Sequence, residues 1–336
     1  MNPRDLPEGK LPISVLGKIL HTMNKGGLLV PPEVGVDIGV WKSRGRFIVS
    51  SSDPITGAGS RIGWHAVNVS VNDVATSGIM PEALNIVALF PSGTTTMAIR
   101  KVISEINKTA RNLGVSVAGG HTEITPGLSR PIVTVTAIGS GNRFVTAADA
   151  RAGDVILMTK TAGIEGTAIL SKLSKVRGLV GAGVADRGAN LIKRISILKE
   201  AKLAFQTGKV HAMHDVTEGG VLGAVYEMSI ASRLGFILLE EAIPVDKSTR
   251  EICSKLAVDP IRLIGSGALI IACKEESESL ILNKLHSNGI RCSEIGRYLQ
   301  PKEGRRLEKS SGTIVIRERE IQDELWETLR KHGDLS

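Results

Sequence analysis

Residues 71–78 read Val71-Asn72-Asp73-Val74-Ala75-Thr76-Ser77-Gly78. They close a stretch, begun at His65, in which apolar and small polar residues recur at helical spacing. Gly78 supplies the left-handed residue that ends such a helix. Working outward, Leu84 to Phe90 has the composition of a strand. Thr94 to Leu113 predicts an amphipathic helix. Thr94 caps it, Ile99, Val102, Ile103, Ile106 and Ala110 form its apolar stripe, and Gly114 stops it. Val115 to Ala118 and Ile132 to Ile138 read as strands. Toward the N-terminus, Leu11 to Leu20 predicts a short helix ended by Lys25-Gly26-Gly27, and Phe47 to Ser50 a short strand. Residues up to about Arg143 therefore form one α/β unit.

A second unit starts near Ala150. Val155 to Thr159, Phe236 to Leu239, Gly267 to Ala272 and Thr313 to Ile316 read as strands. Gly166 to Leu173, Gly188 to Gln206, Gly219 to Leu234 and Glu276 to Ser287 read as helices, and the lysine-rich Pro301 to Lys309 as a surface loop. Strands alternate with helices in both units, so the class is α/β (α+β) with two layers. The length of 336 residues fits two domains.

Composition narrows the function classes. Hydrophobic residues make up 42% and charged residues 23%, as in globular proteins, while aromatics are only 3%. No apolar run is long enough to span a membrane. Met1 to Lys10 is charged and lacks the apolar core of a signal peptide, so a cytoplasmic location is expected. Cys253, Cys273 and Cys292 are odd in number and far apart, which disfavours a disulfide framework. The net charge is +8. Much of the excess lies between Lys172 and Lys209, where nine basic residues face only Asp186 and Glu200. That stretch is a solvated helix face or a steering field for an anion. With few aromatics for base stacking, nucleic acid is not an expected partner.

Familiar nucleotide motifs are missing. There is no P-loop and no G-x-S-x-G elbow. Gly57-Ala58-Gly59 and Gly139-Ser140-Gly141 lack the third glycine of a dinucleotide fingerprint. His211 and His214 have H-x-x-H spacing but no partner to complete a zinc site. What stands out is five small polar clusters: Gly35 to Val40, Ser50 to Gly57, Asn68 to Ala75, Ala118 to Glu123 and Met213 to Gly220. Each sets a carboxylate, or a His with a Glu, beside glycine or an apolar β-run. Carboxylates brought together repel unless a cation neutralises them. Magnesium is usually held by a few carboxylates plus substrate phosphates, and glycine lets backbone approach phosphate closely. Taken singly, Asp37 also fits a turn, Asp53 an Asx turn before Pro54, Asp73 a polar pair on a helix face, and His214-Asp215 a helix cap.

In this order the five clusters resemble the aminoimidazole ribonucleotide (AIR) synthase-like superfamily. Val71 to Gly78, with Pro81 following, is similar to the family's N-D-x-x-x-x-G segment. Gly119 to Glu123 resembles its G-G-H-T segment, and Met213 to Gly220 its H-D-x-T-x-G-G segment. The opening Gly9-Lys10-Leu11-Pro12 is similar to the hydrogenase-maturation, HypE-related branch. The resemblance implies a two-domain AIR synthase-like fold. Residues 1–148 would form an N-terminal α/β domain that builds a dimeric β-barrel across a homodimer. Residues 149–336 would form a C-terminal α/β domain, with an ATP cleft between the two. It further implies that Asp37, Asp53, Asp73 and Asp215 hold Mg2+ and the ATP phosphates. Asn72, Gly119, Gly120, His121 and Thr122 would line the cleft, and Lys10 would fold over the phosphates. Asp53, Asp73, Glu123 and His214 would be catalytic, the last two beside the acceptor.

The implied activity is Mg-ATP-dependent phosphorylation or activation of an unidentified small-molecule acceptor. The alternative is an ATP-binding maturation or regulatory factor with little turnover, serving a partner protein. Two departures stand out. The maturation branch carries its reacting group on a cysteine of its tail, and here no cysteine follows Cys292. Selenophosphate synthetases use an N-terminal Cys or Sec, and here none precedes Cys253. Neither chemistry is expected.

Overall fold

The computed structural model describes residues 11–56, 61–318 and 320–332. Lys10 and the Gly57-Ala58-Gly59 motif lie outside the described residues. The chain forms two compact units. One comprises Gly26–Pro31 and Asp37–Phe144; the other comprises the described residues of Met1–Lys25, Pro32–Val36 and Val145–Ser336. Val36 and Asp37 are thus the last residue of one unit and the first of a long segment of the other.

In chain order the elements up to residue 141 are α1 (Ile13–His21), β1 (Leu28–Val30), β2 (Gly39–Ser43), β3 (Arg46–Ile55), α2 (Ile62–Thr76), β4 (Pro81–Pro91), α3 (Thr96–Leu113), β5 (Ser116–Thr125) and β6 (Ile132–Gly141). All but α1 belong to the smaller unit. Its six strands lie in the order β1-β2-β3-β6-β4-β5. Every pairing is antiparallel except β4 with β5, which α3 joins as a crossover.

The sheet has one covered and one open face. Leu84, Ile86, Ala88 and Phe90 of β4 and Val133, Val135 and Ala137 of β6 are buried beneath the helices. The intervening Asn85 and Val87 are exposed. On the open side Ser52 and Thr136 share a cross-strand hydrogen bond of 2.9 Å. The buried Ser70 of α2 donates to Val135 O at 2.8 Å, fixing that helix on the covered face. Gly63 lets α2 approach α3, since a Cβ there would lie 2.5 Å from Val102 O.

The larger unit continues with β7 (Val155–Thr159), α4 (Ile164–Leu170), α5 (Ser174–Val180), α6 (Ala182–Asn190), α7 (Leu198–Gln206), β8 (Val210–Asp215), α8 (Gly220–Ala231), β9 (Gly235–Leu239), α9 (Lys247–Leu256), β10 (Leu269–Cys273), α10 (Glu275–His286), β11 (Cys292–Leu299), β12 (Arg305–Lys309), β13 (Gly312–Val315) and α11 (Glu324–His332). Its seven strands lie in the order β13-β12-β9-β11-β7-β10-β8. β7 and β10 are buried along their whole length, so both faces of the sheet are covered there. On one face Ile156, Met158, Ala212, Phe236 and Ile270 pack with Val221, Leu222, Val225 and Met228 of α8. A satellite core joins Leu170, Val176, Ile252, Leu263 and Leu325.

Several expectations need correction. β3 does not stop at Ser50 but runs through Asp53 and Pro54, so Asp53 is a strand residue and not part of an Asx turn. Pro54 is tolerated because β2 pairs β3 only as far as Ser50, leaving that edge open. Thr95, not Thr94, caps α3, accepting from Ala98 N. The expected helix over Gly188 to Gln206 is broken, with α6 ending at Asn190 and α7 starting at Leu198. Pro301 to Lys309 is not a loop; its second half is β12, paired in parallel with β9. The central strand β11 was not foreseen, because Gly296 interrupts its apolar pattern. That glycine sits at a bulge where a Cβ would lie 2.1 Å from Ile237 O.

Candidate functional site

In the smaller unit, alternation along β3 sends Val49, Ser51 and Asp53 to the face that carries α2. Asn72 and Asp73 lie on the last turns of that helix and are buried. Ser51 Oγ donates to Asp73 Oδ2 at 2.8 Å, tying the helix carboxylate to the strand. Asp53 stands two residues farther along β3, roughly 7 Å from Ser51. Its Oδ2 is buried and has no hydrogen-bond donor among the described residues. Asp37 is half-buried, two residues ahead of β2.

The glycine-histidine cluster sits elsewhere. Gly119 to Glu123 lie within β5, the exposed edge strand, rather than at a strand end. Ile86 pairs with Gly120 and Ala88 with Thr122, so Thr122 shares the covered face with Asp53. Val87 pairs with His121 and Leu89 with Glu123, which puts both side chains on the open face. The structure therefore does not bring His121 and Glu123 onto the face of Asp53 and Asp73. They form a pair of their own, with His121 Nε2 3.1 Å from Glu123 Oε2. Hydrogen bonds from His121 and then Thr125 hold the Glu123 carboxyl below its ordinary range. Gly120 is required where it stands, since a Cβ would lie 1.9 Å from Ile86 O.

In the larger unit, His214 and Asp215 end β8 and are fully buried. His214 Nε2 lies 3.2 Å from Glu227 Oε2 on α8. Neither carboxylate oxygen of Asp215 has a hydrogen-bond donor among the described residues, and His214 Nδ1 stands 3.7 Å from Oδ1. His211 is engaged separately, its Nδ1 2.9 Å from Asp154. The two histidines of β8 thus serve different carboxylates.

The chain leaves β8 through a turn held on three sides. Val216 N donates to Ala268 O, Gly265 N to Thr217 O, and Gly219 N to Asp323 Oδ2 at 2.7 Å. Gly219 and Gly220 both take left-handed φ, +79° and +63°, and a Cβ on Gly220 would lie 2.5 Å from Ile261 O. The glycine pair is what lets α8 begin so close to the Asp215 strand end. Pro32–Val36 packs on the same helix, with Gly35 against Glu227 O. Glu227 and Asp323 were missed in sequence. Glu227 carries no motif signal, whereas Asp323 has the residue type of an N-cap and accepts from Leu325 N ahead of α11.

Donor-poor buried carboxylates beside glycine turns can do one thing readily: bind a hard cation and the phosphates it bridges. Comparison with known proteins bears on this. The N-terminal domain of AIR synthase related proteins matches residues 37–140, and their C-terminal domain matches residues 151–309. The chain belongs to the AIR synthase-related family. Within reach of it is carbamoyl dehydratase HypE of Escherichia coli, 31% identical over 240 residues, 70% of this chain and 69% of that protein. A protein of Methanocaldococcus jannaschii named for hydrogenase expression/formation is 28% identical over 267 residues, 78% of each chain. Among solved structures, the hydrogenase maturation protein HypE in complex with ATP matches with a TM-score of 0.71 at 24% identity, covering 92% of this chain and 91% of that one. At that identity the likeness is one of fold, and it is the two-domain α/β fold expected of the family. No helix among the described residues is long and apolar enough to cross a membrane.

Asp323 gives the turn after β8 a pH signature. Burial, then the neighbouring Glu218 and Glu165 carboxylates, push its pKa from 3.8 up to about 7 against two backbone donors. The folded state therefore holds a proton that the unfolded state has released between about pH 4 and pH 7, and stability falls as pH rises through that window. Asp323→Asn should flatten the fall, which is on the order of a few kcal/mol in the native chain. Denaturant unfolding from pH 4 to 8 measures it; an unchanged profile would place the titration elsewhere.

Proposed function

We propose that this chain is an ATP-dependent maturation factor of the HypE type, binding Mg-ATP through Asp37, Asp53, Asp73 and Asp215. The observation that carries the reading is the set of buried carboxylate oxygens, Oδ2 of the half-buried Asp53 and both oxygens of the fully buried Asp215, which have no donor among the described residues. Such a group is costly to bury unless something cationic neutralises it. The donor set is all oxygen and fits magnesium better than zinc or a softer metal. When bound, magnesium would neutralise the phosphate charge during transfer. Ser51 positions Asp73, Asn72 and Thr122 add polar groups on the same side of the sheet, and Gly219-Gly220 opens the backbone of α8 toward an anion. His121 and Glu123, on the open face, form a separate acid-base pair.

Kinship with HypE and with a hydrogenase expression/formation protein favours the maturation role over phosphorylation of a small-molecule acceptor. The cysteines add a constraint. All three are buried, and burial pushes each thiol up to about 12. None is poised to carry a reacting group, which fits an activated group carried by a partner protein.

The smaller unit also supports a homodimer. β5 is an exposed edge with unpaired backbone groups, and Val87 stands 40% exposed on the open face. A second copy covering that face would hide both, as a barrel closed across two chains does. Sedimentation should show a dimer. Val87→Glu should yield a monomer with unchanged circular dichroism; a monomeric native chain contradicts the assignment.

Calorimetry tests the nucleotide reading. The native chain should bind ATP in the presence of Mg2+, with little ADP released in the absence of a partner. Asp53→Asn and Asp73→Asn should each weaken Mg-ATP at least about tenfold, a loss of roughly 1.4 kcal/mol. Native affinity in both variants would remove these residues from the metal site.

A further inference from the structure

Lys160 follows β7 directly. It is one of four described non-glycine residues with positive φ, at +59°. That conformation costs an L-residue on the order of 1–2 kcal/mol. Long lysines normally keep the ammonium in water. This one turns it inward, and the side chain is only 15% exposed. Nζ lies 2.6 Å from Ser196 O, 2.7 Å from Gly267 O, 3.0 Å from Arg194 O and 2.8 Å from Glu200 Oε1. The oxygens come from two segments remote in sequence and from the first turn of α7.

Three backbone carbonyls and one carboxylate converge on a single nitrogen. An ammonium has three N–H donors for these four acceptors, whereas a neutral amine has too few. Burial pulls the lysine pKa down and Glu200 pushes it back up. Without a cation, the inward carbonyls and the buried Glu200 would be desolvated oxygens facing one another. Three of the four Nζ–oxygen distances, 2.7, 2.8 and 3.0 Å, exceed the roughly 2.0–2.6 Å that magnesium and calcium require, and the fourth stands at its upper limit. They suit a larger monovalent ion.

The same cage touches the turn that shapes the end of β8. Gly267 presses on the 194–195 segment, where a Cβ would lie 2.6 Å from Arg194 O. Its neighbour Ala268 accepts from Val216 N, and Leu269 pairs in register with Asp215. Leu269 N in turn donates to Thr159 Oγ1 at 3.0 Å. Thr159 and Lys160 therefore hold both ends of the Gly267–Leu269 turn, and that turn is bonded to Asp215–Val216.

We propose that Lys160 Nζ fills a monovalent-cation site built from Arg194 O, Ser196 O, Gly267 O and Glu200 Oε1. The tethered ammonium is a positioning device for Asp215, and the emptied cage takes ammonium or potassium once the lysine is cut back. The cage stands on its own geometry; the positioning role rests on the function proposed for Asp215.

Thermal unfolding at constant ionic strength in lithium, sodium, potassium and ammonium chlorides tests the cage without nucleotide. The native chain should be indifferent to the cation. Lys160→Ala should melt several degrees lower in lithium or sodium and regain most of the loss, saturably, in ammonium or potassium. Lys160→Met, which refills the space with an apolar chain, should melt low in every salt. Glu200→Gln, which keeps the lysine but removes the anionic wall, should be destabilised equally in all four. A Lys160→Ala variant with no preference among the cations overturns the site, as does one that fails to fold even in ammonium. Mg-ATP titration of Lys160→Ala, with and without ammonium, reads the positioning role. Affinity regained with the cation supports it. A regained melting temperature with affinity still low overturns it and leaves the cage intact. A native chain that binds no Mg-ATP overturns the functional reading and not the cage.

Discussion

A carboxylate oxygen buried without a donor is an expensive thing for a protein to keep, and among the described residues both Asp53 and Asp215 hold such oxygens. Asp53 hides an oxygen on the helix side of a six-stranded sheet, and Asp215 hides both of its own at the end of an edge strand. Removing a charge from water costs several kcal/mol even after the surroundings relax. A fold free to optimise stability alone would place an apolar residue at either position, or supply a donor. The neighbouring Asp73 illustrates the second solution, with Ser51 Oγ donating to it. That the other two lack one among the described residues is the constraint from which the functional reading follows.

The scaffold around these groups is built to hold backbone rather than to quench charge. Gly219 and Gly220 bend the chain into α8, where a Cβ on Gly220 would strike Ile261 O and one on Gly219 would crowd Ile321 O. Asp323 reaches back from the far end of the sequence to take Gly219 N. The turn at Gly267 to Leu269 is pinned by Thr159 and Lys160 and carries the register of Asp215. In the smaller unit, Ser70 on Val135 O and the close approach at Gly63 fix α2 on the sheet, and with it Asp73. Rigid supports of this kind suit a site in which position and electrostatics do the chemistry.

Much of this was legible in the amino-acid order. Val155 to Thr159 is a strand with the predicted limits, because five consecutive apolar or β-branched residues flanked by turns leave little choice. The helix carrying Asn72 and Asp73 was equally plain, as was the kinship carried by the glycine-acid clusters. Faces were harder to read. The expected strand stopped at Ala118, ahead of Gly119-Gly120, yet both glycines lie in an edge strand that runs on to Thr125, so His121 and Glu123 face away from Asp53. β11 escaped notice because Gly296, Glu294 and Arg297 break up the pattern of a strand whose Cys292, Ile295, Gly296 and Tyr298 are buried while its other residues are partly exposed. The Lys160 cage had no sequence signature at all, since its contacts span 36 and 107 residues. Local patterns report local structure; which oxygens converge is decided by strand order and crossover, which no short window contains.

The central claim is that Asp215 destabilises the empty fold and is kept for a cation. Comparing melting temperatures of the native chain and Asp215→Asn, each with and without Mg-ATP, tests it most directly. The account predicts that the variant melts as high as or higher than the native chain when empty, and gains nothing from Mg-ATP while the native chain gains several degrees. A variant that is less stable when empty, yet stabilised by Mg-ATP as strongly as the native chain, would contradict it.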